Sequence, residues 1–143
     1  AFKLMRYINS PAFGLSVGYF VEETDRSGAI VLTRGQAGKP VFFFEEKHRI
    51  VSLTDGIRDP GFSVFVDMLE KGCASGAGGM VQSGEEFALV LSGTVEFVID
   101  EETFVLATGD SLAFKASRPH RWRNLHDGET RILWVVSPAP HLR

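Results

Sequence analysis

The chain has one cysteine, Cys73, so neither an intrachain disulfide nor a cysteine-based zinc cluster can form. A reducing, cytoplasmic setting is expected, with Cys73 as a small loop residue. No apolar run approaches the roughly 20 residues needed to cross a bilayer, and the N-terminus carries no cleavable signal pattern, so no membrane partner is expected. Basic charge is scarce too: Lys and Arg total 15 against 18 Asp and Glu, for a formal net charge of −3. Gripping a phosphate backbone rests on clustered cations. Any DNA contact would therefore need another domain. A Gly-x-Ser-x-Gly elbow is absent, and Cys73 has no histidine near it in sequence, so nucleophilic catalysis has little support. The Gly-rich stretch Ala74–Gly79 is not followed by Gly-Lys-Ser/Thr and opens no helix, so it reads as a barrel-mouth loop and not a phosphate cradle.

What the chain does have is apolar and aromatic mass, 44% hydrophobic with twelve Phe in 143 residues, enough for one sizeable core. From Val41 onward, short runs rich in Val, Phe, Ile and Leu alternate with turn residues at all-β spacing. The run Phe62–Met68 puts Phe62, Val64, Val66 and Met68 on one face and Asp67 on the other. Glu86–Ser92, Thr94–Ile99 and Thr103–Leu106 read as a β-meander, with Gly93 at its first corner. Ser111–Phe114, Pro119–Asn124 and Arg131–Val136 follow. The last is apolar on both faces, which suits a central strand or a dimer contact.

Residues 1–40 form an N-terminal arm or linker, and residues 41–143 the barrel. Within the arm, Phe2–Ile8 is apolar and basic, Ser10–Phe20 reads as a helix end with a turn, Gly28–Arg34 as an edge strand and Gly35–Pro40 as a linker. The chain opens on Ala1 and not on Met, and a segment upstream is expected.

Two stretches resemble the paired signature motifs of the cupin superfamily. Glu86 and Gly93 occupy the Glu and closing Gly of the first, while its two histidine positions hold Met80 and Gln82. Gly109, His120 and Asn124 match the second, whose Pro and middle Gly positions hold Lys115 and Ser117. The resemblance implies an all-β double-stranded β-helix, a jelly-roll barrel around an internal pocket. More narrowly, Ser83–Phe87, Ala107–Leu112 and Arg118–Asn124 are similar to the cupin half of Xre-like helix-turn-helix regulators. Phe13–Phe20 resembles the end of that family's DNA-binding domain.

On that resemblance, the ligand pocket is expected to draw on Met80, Gln82, Glu86, Ala88, Val90, Phe114, His120 and Trp122. Met80, Gln82 and Glu86 share strand parity with Ala88 and Val90. Cupins usually bind metal at the positions of Met80, Gln82, Glu86 and His120. A thioether and an amide are weak ligands for hard divalent ions, so no cofactor is expected. Any divalent metal would rest on Gln82, Glu86 and His120. Glu86 and His120 form either a hydrogen-bonded polar pair or a direct ligand contact. His48, His126 and His141 read as surface residues, and Phe97, Phe114, Trp122 and Trp134 mostly as core. Arg121 and Arg123 fall on the face opposite His120, whereas Arg118 could reach the mouth.

The expected function is a metal-independent small-molecule sensor domain of a homodimeric transcription regulator, with no catalytic residues. It would meet DNA only through an attached helix-turn-helix domain outside this chain. The alternatives are a cupin enzyme, either a metal-dependent oxygenase or an isomerase, using Glu86 and His120, and a plain binding barrel.

Overall fold

A computed structural model of the chain describes residues 23–24, 27–35, 42–44, 47–76 and 78–139. Phe2–Ile8, Ser10–Phe20, the linker after Gly35 and His141 lie outside the described residues. The elements are all strands: β1 Glu23–Thr24, β2 Val31–Leu32, β3 Phe42–Phe44, β4 His48–Ser52, β5 Ser63–Leu69 and β6 Glu85–Ser92. They continue with β7 Thr94–Ile99, β8 Glu102–Ala107, β9 Ser111–Lys115, β10 His120–Asn124 and β11 Thr130–Ser137. Every pairing is antiparallel. Six strands form one sheet in the order β3-β4-β5-β11-β6-β9, and three form a second, β10-β7-β8. A separate ribbon, β1-β2, completes the set. No helix among the described residues is long and apolar enough to cross a membrane.

Strand alternation builds the core between the two sheets. On β10, His120, Trp122 and Asn124 are buried while Arg121 and Arg123 face out. On β11, Thr130, Ile132, Trp134 and Val136 turn inward. Leu69, Ala88, Val90, Val95, Phe97 and Ile132 are almost completely enclosed, and burial of side chains this large supplies most of the driving force for folding. Lying between β5 and β6, β11 is a central strand, and Leu133 and Val135 on its outer face are half-buried.

Two local expectations are corrected. Strands β6, β7 and β8 do not form a meander, because β6 pairs with β11 and β9 whereas β7 pairs with β10 and β8. Gly93, with φ of 99°, carries the chain from one sheet to the other, and a side chain there would run into Thr130. The second correction concerns β5, where Ser63, Asp67 and Leu69 are buried with Phe65 half-buried beside them, and of the expected face Met68 is buried while Val64 and Val66 are half-buried. Phe62, expected inside, is 53% exposed. Both parities of this strand are largely apolar, so counting hydrophobic residues favoured the wrong face.

The ends of the Gly-rich loop are tied to β10. Met80 and His120 exchange two backbone hydrogen bonds, at 2.8 and 3.0 Å. The Ser75 backbone N–H donates to the Trp122 carbonyl at 3.0 Å, and its hydroxyl accepts from the Trp122 N–H at 2.9 Å. The loop therefore forms a wall and rim of the barrel mouth.

Candidate functional site

The inward rows of β4, β5, β6, β10 and β11, together with this loop, line an open-mouthed cavity of about 610 Å³, within the range of small-molecule sites. Its floor and sides carry Ile50, Phe65, Met80, Trp122, Trp134 and Val136. Its polar groups include His48, Asp67, Gln82, Glu86 and His120, with Lys47 and Ser75 among those nearer the loop.

At the centre of one side, His120 Nε2 lies 2.9 Å from Glu86 Oε2. The two residues are 2% and 8% exposed, so each depends on the other for a polar partner. The Arg118 carbonyl, 2.8 Å from His120 Nδ1, can only accept, which places a proton on Nδ1. Neutral His120 then presents a bare Nε2 to Glu86. Their contact becomes a hydrogen bond when one further proton sits between them. Burial pushes the Glu86 carboxyl above its ordinary range, against an opposing pull from His120, which favours that shared proton. Phe114 closes over the imidazole with ring centroids 4.9 Å apart.

A second pair lines the same cavity. His48 Nε2 is 3.1 Å from Asp67 Oδ2, and the His48 ring meets Trp122 edge-on at 5.3 Å. His48 was expected at the surface; its side chain is 18% exposed and paired with a nearly buried carboxylate. Nothing in the sequence joined the two, because they lie on neighbouring strands and meet only through the β4–β5 register.

Of the residues expected in the pocket, Met80, Gln82, Glu86, His120 and Trp122 line the cavity. Ala88 and Val90 share the inward face of β6 but are packed into the core, and Phe114 reaches the site through His120. Cys73, expected as a plain loop residue, is buried in the core and contributes to the cavity wall. Arg118 does not reach the mouth, because its guanidinium is held by Asp100 at 2.9 Å.

Residues 68–136 match the family described as Cupin domain. The barrel has the cupin fold. A 54-residue stretch is 39% identical to the polyketide synthase CurC of Streptomyces cyaneus, taking in 38% of this chain. The match spans only 35% of that relative. The cupin domain of an XRE family transcriptional regulator from Enterobacter cloacae superposes with a TM-score of 0.57 at 21% identity, covering 66% of this chain and 99% of that one. A cupin-superfamily sugar phosphate isomerase from Silicibacter pomeroyi gives a TM-score of 0.58 at 26% identity, covering 66% of this chain and 62% of that one.

Many cupins hold a metal, so the donor set decides whether this one is built to. Among the described residues no three His, Cys, Asp or Glu side chains converge as metal ligands. Met80 and Gln82 stand where the resemblance would place histidines, and Gln82 is exposed at the rim. The Nε2 of His120 and the Oε2 of Glu86, which would face a metal, instead face each other. These residues do not fit a tightly held divalent ion.

Proposed function

We propose that this cupin is the small-molecule-sensing domain of a transcription regulator, holding its ligand in the barrel without a metal. The observation that carries the reading is the open-mouthed cavity in which a His120–Glu86 pair replaces a metal-ligand set. The regulatory half of the reading draws on the Xre-like motifs and on the XRE regulator domain, matched over nearly its whole length. In this reading residues 1–40 are the arm that joins the barrel, residues 41–143, to a DNA-binding module. Two barrels associate as a homodimer, and occupancy is transmitted because the ligand favours one dimer or arm arrangement over the other.

Native mass spectrometry with elemental analysis on untagged protein tests the proposal. A metal-free dimer retaining an organic ligand, with that ligand lost in His120→Ala, is the expected result. A stoichiometric metal that disappears with His120→Ala would overturn it.

A second reading is favoured by the Glu86–His120 geometry itself. A buried carboxyl with a raised pKa beside an oriented imidazole is a general acid–base pair, as an isomerase requires. Turnover of a sugar phosphate abolished by Glu86→Gln would put that reading first.

A further inference from the structure

The His48–Asp67 pair has no part in the reading above, yet it faces the same cavity. Strand register gives its position. Glu86 is level with Val136 and Ser63, Asp67 is level with Ile132, and Ile132 is level with Val90. The row between consists of Phe65, Trp134 and Ala88. Four residues of extended strand separate the two polar rows, about 13 Å along the sheet. The wall between them is aromatic, with Phe65 and Trp134 stacked at 6.3 Å and an interplanar angle of 18°. Trp122 faces His48 from the opposite sheet.

Two polar atoms on this wall are unsatisfied. Asp67 Oδ1 and Trp134 Nε1 find no hydrogen-bond partner among the described residues, though their residues are only 3% and 4% exposed. A buried acceptor and a buried donor left unpaired are costly and mark where a guest's polar groups would be received. The charge of the walls narrows the guest further. Asp67 is a carboxylate, the Glu86–His120 pair with its shared proton carries no net positive charge, and Lys47, which is exposed, is the one Lys or Arg among the described lining residues. An anionic guest would meet repulsion without a buried cation to offset it.

Resting on the proposal that the barrel binds a small molecule, we infer that the cavity is a two-ended site for an uncharged, elongated aromatic molecule carrying a hydroxyl at the His48–Asp67 end and a hydroxyl or carbonyl oxygen at the His120–Glu86 end. His120–Glu86 receives one end and His48–Asp67 the other, with Phe65, Trp122 and Trp134 holding the body between them.

Calorimetric titration with three probes tests this: para-hydroxybiphenyl, para,para′-dihydroxybiphenyl and biphenyl-para,para′-dicarboxylate. The diol should bind about tenfold more tightly than the mono-ol, as one additional buried hydrogen bond provides, and at least about tenfold more tightly than the dicarboxylate. In Asp67→Leu the diol's advantage should shrink to about twofold or less, with the mono-ol unchanged. His48→Phe, at a partly exposed position, should do the same and serves if Asp67→Leu does not fold. A diol that binds no better than the mono-ol, or a dicarboxylate that binds best, overturns the two-ended site. The underlying reading fails separately: it falls if the mono-ol does not bind, or binds equally well to His120→Ala.

Discussion

Removing the side chain of Asn124 should cost this barrel a large part of its stability without altering its cavity. Asn124 is 5% exposed, and the two hydrogens on its Nδ2 are shared among three carbonyls: Leu69 at 3.1 Å, Glu70 at 2.9 Å and Gly128 at 2.9 Å. Its Oδ1 accepts from the His126 N–H at 2.9 Å and the Thr130 hydroxyl at 2.7 Å. One amide thus pins the end of β5, the β10–β11 turn and the start of β11 together. The bonds to Leu69 and Thr130 are fully buried and leave orphaned partners when broken, whereas the other three can be partly replaced by water. At about 1.5 kcal/mol for each buried bond and about 0.5 for each of the others, Asn124→Ala should lose about 4.5 kcal/mol, a large share of a typical domain's stability. Urea unfolding with linear extrapolation would read it. Asn124→Asp should be at least as damaging, because it sets an acceptor against three carbonyl oxygens. Thr130→Val should cost about 1 to 2 kcal/mol and couple to Asn124→Ala in a double-mutant cycle. A loss below about 1 kcal/mol for Asn124→Ala, or an Asp variant as stable as the parent, would refute the reasoning.

Glu86→Gln should stabilise the fold at neutral pH. A buried carboxyl whose folded pKa is raised contributes stability fully present below its unfolded pKa and lost as pH rises through its folded one. The variant's advantage should therefore grow with pH above the ordinary carboxylate range and vanish in acid, as melts across a pH series would show. Gly93→Ala should cost about 2 to 4 kcal/mol, because a positive φ is compounded by collision with Thr130. Gly109→Ala has a similar φ of 90° but open space around it, and should cost only about 1 kcal/mol by the same denaturation assay. Zinc, manganese or ferrous ion should leave the melting temperature unchanged. A site held at a hundredfold excess over its Kd would add about 2.7 kcal/mol, a shift of several degrees by differential scanning fluorimetry.

The sequence by itself determined the all-β class and most strand positions from β6 to β11. These are recorded locally, in alternation, in turn residues and in two spaced motifs. Thr94–Ile99 matches β7 end for end, and the outward face of Arg121 and Arg123 follows from parity alone. Tertiary structure decided the rest. The β6–β7 corner reads as a hairpin until the backing of Gly93 by Thr130 shows the chain changing sheets. The inward face of β5 could not be read from composition, because Val64 and Val66 are as apolar as its buried neighbours. Inside the barrel, Asp67 finds its partner in His48 on the adjoining strand. That pairing depends on register between segments distant in sequence, and register is set only when both sheets close on a common core.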